Sequence, residues 1–129
     1  MVQILLDTHM LIWFLNEPEL LPKEADKLIF DPANLIFVSS ISLWEIAIKN
    51  SIGKLEIDVV IADLEAICER SNLIAVSFQA AHALAVAELA GHHKDPFDRA
   101  LIAQAQVDQM TLMTHDAVLA AYSGSVMVV

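Results

Sequence analysis

Apolar residues fall along the chain in two patterns: short unbroken runs, and longer stretches in which they recur every three or four positions. VQILL (2–6), LIFVS (35–39), LIAVS (73–77) and TLMT (111–114) are of the first kind, with VMVV (126–129) as a possible short fifth run. Each reads as a strand, and LIFVS has the continuous character of a strand covered on both faces of a parallel sheet. The helical patterns lie between them. One runs over 9–15 and carries Trp13 and Phe14; another opens at Pro22, turns Ala25, Leu28 and Ile29 inward, and stops at Asp31-Pro32. A third, capped by Ser40 or Ser42, offers Leu43, Ile46 and Ala47 to the core; a fourth covers 59–70 with Ile61, Leu64, Ile67 and Cys68 on one face. Residues 78–89, 96–108 and 117–122 complete the set. Strands alternating with helices predict an α/β domain with a mainly parallel central sheet of four to five strands flanked by helices. With no repeat, low-complexity segment or linker, residues 1–129 read as one domain.

Composition changes this picture in two places. Hydrophobic residues make up 57% of the chain, high enough to predict that part of the surface is covered by a partner. No apolar run approaches the roughly 18 residues of a membrane span. The start, MVQILLDTHM, lacks the basic region and cleavage site of a signal peptide, and the single cysteine, Cys68, sits in a helical core pattern. These features predict a cytoplasmic protein. Charge is the second change: 7 basic residues face 17 acidic ones, for a formal net charge of −10, and the basic ones are scattered. Binding of duplex nucleic acid by charge alone is therefore not expected. A polyanionic substrate would need positive charge from a divalent cation or a second subunit.

The acids are where candidate chemistry lies. In a parallel α/β sheet every strand-to-helix turn opens on the carboxyl edge, where such folds place their sites. Asp7 follows the first strand, Glu45 follows the second by a few residues, and Asp116 follows the fourth. Helix starts open on that edge too, which brings in Asp95 and Asp98 of His93-Lys94-Asp95-Pro96-Phe97-Asp98-Arg99. Each acid also has a structural explanation. Asp7 and Asp116 suit turns or caps, Ser42-x-x-Glu45 has the spacing of a capping box, and Asp95 before Pro96 is a good N-cap with Asp98 favoured by the helix dipole. Capping does not require all of them on one edge, whereas a metal site does. Oxygen donors suit hard ions such as Mg²⁺ or Mn²⁺.

Four pieces in order, Ile4-Leu5-Leu6-Asp7-Thr8, Ser42-Leu43-Trp44-Glu45, DPFDRALIAQA (95–105) and Thr114-His115-Asp116, make the chain resemble a PIN-domain ribonuclease of the VapC toxin type. The resemblance covers essentially the whole chain. It implies a PIN-like fold and a Mg²⁺- or Mn²⁺-dependent endoribonuclease, neutralised by a cognate antitoxin and commonly dimeric. Its metal-binding, catalytic acids fall on Asp7, Glu45, Asp98 and Asp116. Asp95 matches an additional acid, which either assists the metal or caps the helix bearing Asp98. Thr8 and Thr114 match small polar positions beside the site, where hydroxyls orient carboxylates or water; Ser42 and Ser39 can do the same or serve as caps. His93, Lys94 and Arg99 are candidate RNA contacts, each with a solvated-turn alternative. His115 carries no assigned role, and His82 reads as a satisfied histidine in or at the edge of the core. Trp13, Phe14 and Trp44 are core residues by type and the candidates for a partner surface. Two other functions compete: a catalytically silent PIN-like binding module, and phosphoryl transfer through an aspartyl nucleophile at Asp7.

Overall fold

The computed structural model describes residues 1–122 and 124–129. Five strands, β1 (Gln3–Leu6), β2 (Leu35–Ser39), β3 (Ile74–Val76), β4 (Thr111–Thr114) and β5 (Val126–Val128), form one sheet in the order β3-β2-β1-β4-β5. Every pairing in it is parallel. Six helices connect them: α1 (Thr8–Asn16), α2 (Lys23–Ile29), α3 (Ser40–Ser51), α4 (Leu64–Arg70), α5 (Ala80–Ala85) and α6 (Pro96–Val107).

The period of two along each strand divides the core. Ile4, Leu6, Ile36, Val38 and Met113 point to one face, where they meet Met10, Leu11, Ala25, Ile29, Ile46, Leu64 and Cys68. Leu5, Phe37 and Leu112 point to the other, against Ala100, Leu101, Ile102 and Ala105 of α6. A sheet buried on both sides needs apolar residues at every position, which accounts for the unbroken strand runs. Among the described residues no helix is long and apolar enough to cross a membrane.

Several expected elements are shorter or capped differently. The cap of α3 is Ser39, whose hydroxyl accepts the Ile41 N–H, and not Ser40 or Ser42. Ser42 therefore lies inside the helix, and the capping box expected with Glu45 is not its role; its hydroxyl meets Thr8 instead. The helical stretch at 59–70 begins as a 3₁₀ turn, Ile61–Asp63, before α4. That at 78–89 is α5 followed by a 3₁₀ turn, Val86–Glu88, and Ala117–Ala121 is 3₁₀ throughout. Short segments gain too little from helix propagation to hold a regular α form alone, so local packing decides. Trp44 is 57% exposed and so is not a core residue, whereas Trp13 and Phe14 are half-buried.

Candidate metal centre

The strand order puts β4 beside β1, on the side away from β2, so the sheet changes direction between them. Crevices at such a switch point, outside the carboxyl ends of the strands, are where open α/β sheets bind ligands. Asp7 leaves β1 there as the N-cap of α1, its Oδ1 accepting the His9 N–H at 2.9 Å. Its Oδ2 accepts a bond from the Thr114 hydroxyl at the end of β4, and the same Thr114 oxygen accepts the Asp116 N–H at 3.1 Å. One threonine thus fixes both acids across the switch. Asp116 caps the 3₁₀ turn that follows, accepting the Val118 N–H at 3.0 Å.

Glu45 reaches the same edge from α3. It is 5% exposed, and its Oε2 accepts from Lys49 Nζ one turn along the helix. Among the described residues, its Oε1 is the buried side-chain atom left without a hydrogen-bond partner. Such an oxygen is costly unless something else satisfies it. Beside it, the Thr8 and Ser42 hydroxyls share a bond of 2.9 Å that ties α1 to α3. Ser39 donates to Gln104 of α6, so the three helices around the crevice are locked by buried hydroxyl contacts.

At the start of α6, Asp95 caps the helix. Its Oδ1 accepts the N–H groups of both Phe97 and Asp98, at 2.9 and 3.0 Å. Asp98 is bonded through Oδ2 to Nε2 of His93 at 2.8 Å. His93, Asp98 and Asp116 each bring a donor atom within 4.8 Å of the others. Arg99 turns away from the acids and into the preceding loop. Its guanidinium donates to the carbonyls of Val86, Ala90 and His93 and to the Tyr122 hydroxyl. Lys94 is exposed on that loop, and His115 packs its ring edge-on to Trp13 at 5.6 Å.

The electrostatics are those of acids crowded without enough positive charge. Burial pushes the Asp7 carboxyl up, and Glu45 adds to this against the hydrogen bonds from Thr114 and His9. Asp98 is pushed up to about 6, first by burial and then by Asp7, with His93 opposing and Asp95 adding. Lys49 is raised by its bond to Glu45, and the charges of Asp95 and Asp98 act in the same direction. Asp7, Glu45 and Asp98 therefore belong to one electrostatic unit, with Asp116 brought within 4.8 Å of Asp98 and Asp95 at the margin as a cap.

Two residues escaped the sequence reading. Lys49 stands four positions after Glu45, the helical ion-pair spacing, which was the available signal. Gln104, a polar residue within the apolar run ALIAQAQ, is fully buried and holds Ser39 and the Ser77 carbonyl. A buried amide in such a run marks a cross-link.

The donor set suits a hard divalent ion: carboxylate oxygens, one of them, on Glu45, buried without a partner among the described residues, with the Asp98 carboxyl raised by burial and then by Asp7. The fold has close counterparts. A chain of the VapBC2 complex from Rickettsia felis, bound to a fragment of promoter DNA, aligns with TM-score 0.67 and 18% identity over 97% of this chain and 96% of that one. DNA-bound VapBC from Salmonella typhimurium gives 0.66 and 19% over 98% of each chain, and VapBC-1 from nontypeable Haemophilus influenzae gives 0.66 and 16% over 100% and 97%. No curated protein matches the chain in sequence. The family model of the PIN domain matches residues 4–124, and with the acids of its strand ends gathered at one switch point, the chain belongs to the PIN-domain family.

Proposed function

We propose that the protein is a VapC-type toxin: a Mg²⁺- or Mn²⁺-dependent endoribonuclease, one PIN domain over residues 1–129, neutralised by a cognate antitoxin. What supports this reading is a chain of neighbouring acids: Glu45 acts on Asp7, Asp7 on Asp98, and Asp98 and Asp116 offer donor atoms within 4.8 Å, with a Glu45 oxygen buried without a partner among the described residues. These four would hold the ion. A divalent cation there would offset the charge of a phosphodiester and make water a better nucleophile at neutral pH. It also supplies the positive charge that a chain of net charge −10 lacks.

The protein's own groups position that chemistry. Thr114 and the His9 N–H fix the Asp7 carboxylate, and Thr8 with Ser42 holds α1 against α3, which carries Glu45. Asp95 fixes the first turn of α6 and so aims Asp98. Water attacks phosphorus, the bond to the 3′ oxygen breaks, and that oxygen leaves as a hydroxyl. Lys49, bonded to Glu45, and Lys94, exposed on the loop next to Asp95, are the lysines available to meet phosphate; Arg99 serves the loop that carries Lys94.

The matched structures are toxin–antitoxin complexes, which supports an antitoxin as partner. An apolar groove of about 250 Å³, lined by Ile41, Trp44, Phe78, Val86 and Phe97, supports a covered protein surface, with a second copy of the chain as its occupant in a homodimer. Incubating single-stranded RNA with the purified chain tests the activity. Cleavage should require Mg²⁺ or Mn²⁺, stop on chelation, and vanish in Asp7→Asn with the fold retained. Full activity of Asp7→Asn at saturating metal would remove the assignment.

A further inference from the structure

Among the described residues, His93 is the nitrogen donor grouped with the acids Asp98 and Asp116, all within 4.8 Å. Its Nε2 stands 2.8 Å from Asp98 Oδ2. Adjacent ligands of an octahedral ion with bonds of about 2.1 Å are separated by about 3.0 Å, so the two atoms already stand at the spacing of neighbouring ligands. The ring is built into place. It is half-buried, and the carbonyl of its own residue is gripped by Arg99, which also holds Ala90, Val86 and Tyr122. A guanidinium satisfied by three backbone carbonyls and a phenol is a fixture, and it folds the 86–95 loop down over the start of α6. An independent sign that this cluster takes a cation is the buried Glu45 Oε1, which lacks a protein partner among the described residues and lies in the same electrostatic unit.

We propose that His93 is a direct nitrogen ligand of the divalent ion, completing an otherwise all-oxygen site, and that it makes the protein prefer Mn²⁺ to Mg²⁺. The inference rests on the metal-centre reading above and adds the identity of one donor and the ion it selects. Nε2 is engaged by Asp98; an ion entering between them would replace that bond, the imidazole proton moving to Nδ1 so that Nε2 and the Asp98 oxygen could both serve as donors. Mg²⁺ demands oxygen donors and gives up water reluctantly; Mn²⁺ tolerates a mixed nitrogen and oxygen set. Exchanging one carboxylate or water for imidazole therefore favours Mn²⁺.

The test uses the full chain with Mn²⁺ alone and reads nitrogen coupling to the bound ion by electron spin echo modulation. Native protein should show ¹⁴N modulation that changes to the ¹⁵N pattern when only histidine is ¹⁵N-labelled, and that disappears in His93→Gln. Calorimetry should show Mn²⁺ affinity falling at least about tenfold in His93→Gln, with Mg²⁺ affinity changed much less. Bound Mn²⁺ without nitrogen coupling, or coupling that persists in His93→Gln, overturns the inference while leaving the metal centre standing. If Mn²⁺ fails to bind, or binds equally to native protein and Asp7→Asn, the metal-centre reading itself falls. The isotope label, which needs no mutation, establishes a histidine ligand; should His93→Gln fold poorly, His93→Asn supplies the same assignment, and loss of coupling in His9→Gln or His115→Gln instead would overturn it.

Discussion

Two histidine–aspartate pairs sit at opposite ends of α6, and they differ in everything except their chemistry. At the far end, His82 is buried with Nε2 on Asp108 at 2.9 Å, and its Nδ1 accepts the Gln79 N–H at 2.8 Å. Both ring nitrogens are used, so the tautomer is set and no lone pair is left for a ligand. The pair ties the start of α5 to the end of α6. At the near end, His93 meets Asp98 at 2.8 Å, but Asp116 stands within reach of both, and burial, followed by the charges of Asp7 and Asp95, pushes the Asp98 carboxyl up. The same two residue types make a strut in one place and part of a charged site in the other. What decides is the number of other acids facing the pair.

The largest expected contrast comes from removing the two aspartates in turn. Asp98→Asn should lower RNA cleavage by at least on the order of a thousandfold with little loss of stability, because the acid serves chemistry rather than packing. Asp108→Asn should leave the cleavage rate within about twofold and lower stability by about 1 kcal/mol, since it weakens one partly exposed hydrogen bond. A metal-replete cleavage assay beside denaturant unfolding separates the two, and equal activity losses would erase the distinction.

Thr114→Val should come next. It removes the hydroxyl that joins Asp7 to the Asp116 backbone without changing side-chain volume much, and roughly 10- to 100-fold should be lost in metal affinity. Calorimetric titration with Mn²⁺ measures this directly; unchanged affinity would show that the strand ends alone hold the acids.

pH sharpens the comparison further. Asp98 has its carboxyl raised from 3.8 to about 6, and Asp7 is raised as well, so without a cation both favour the fold below about pH 4. That contribution is lost as pH rises through the folded values, leaving ionised, crowded carboxylates that a cation then relieves. Thermal stabilisation by Mg²⁺ or Mn²⁺ should accordingly be larger at pH 7.5 than at pH 5, with affinity falling about tenfold per unit below pH 6. Melting curves at the two pH values with and without ion check the sign, and greater stabilisation at pH 5 would contradict it. The smallest effect is expected for Arg99→Lys, which keeps the charge but cannot span four acceptors. It should loosen the 86–95 loop, seen as faster amide exchange there, and reduce cleavage only a few-fold.

Much of this was legible along the chain, for identifiable reasons. LIFVS and TLMT give β2 and β4 at their observed bounds, because a strand covered on both faces leaves an unbroken apolar run. The cap at Asp95 and the start of α6 follow from Asp-Pro at a helix entry. Asp7 and Asp116 at strand ends, with Glu45 a turn and a half into a helix, share one edge in any parallel sheet. Less legible were the short helices at 61–70 and 80–88, where packing of α4 on β3 and of α5 on α6, not helical periodicity, decides the form.

Local pattern thus determined the strands, the main helices and the edge on which the acids fall, since these depend on residues within a turn or two of one another. Tertiary structure alone decided who meets whom there. The Thr114–Asp7 bond joins residues 107 positions apart, Ser39–Gln104 spans 65 and Thr8–Ser42 spans 34. The first exists because β4 inserts beside β1, the second because α6 packs over the end of β2, and the third because β1 and β2 pair and carry α1 and α3 side by side; no local periodicity encodes these neighbours. The placement of His93 is different again. It lies only five residues from Asp98, yet it reaches that acid because Arg99 of the same helix and Tyr122, which comes from beyond β4, hold the loop that carries it.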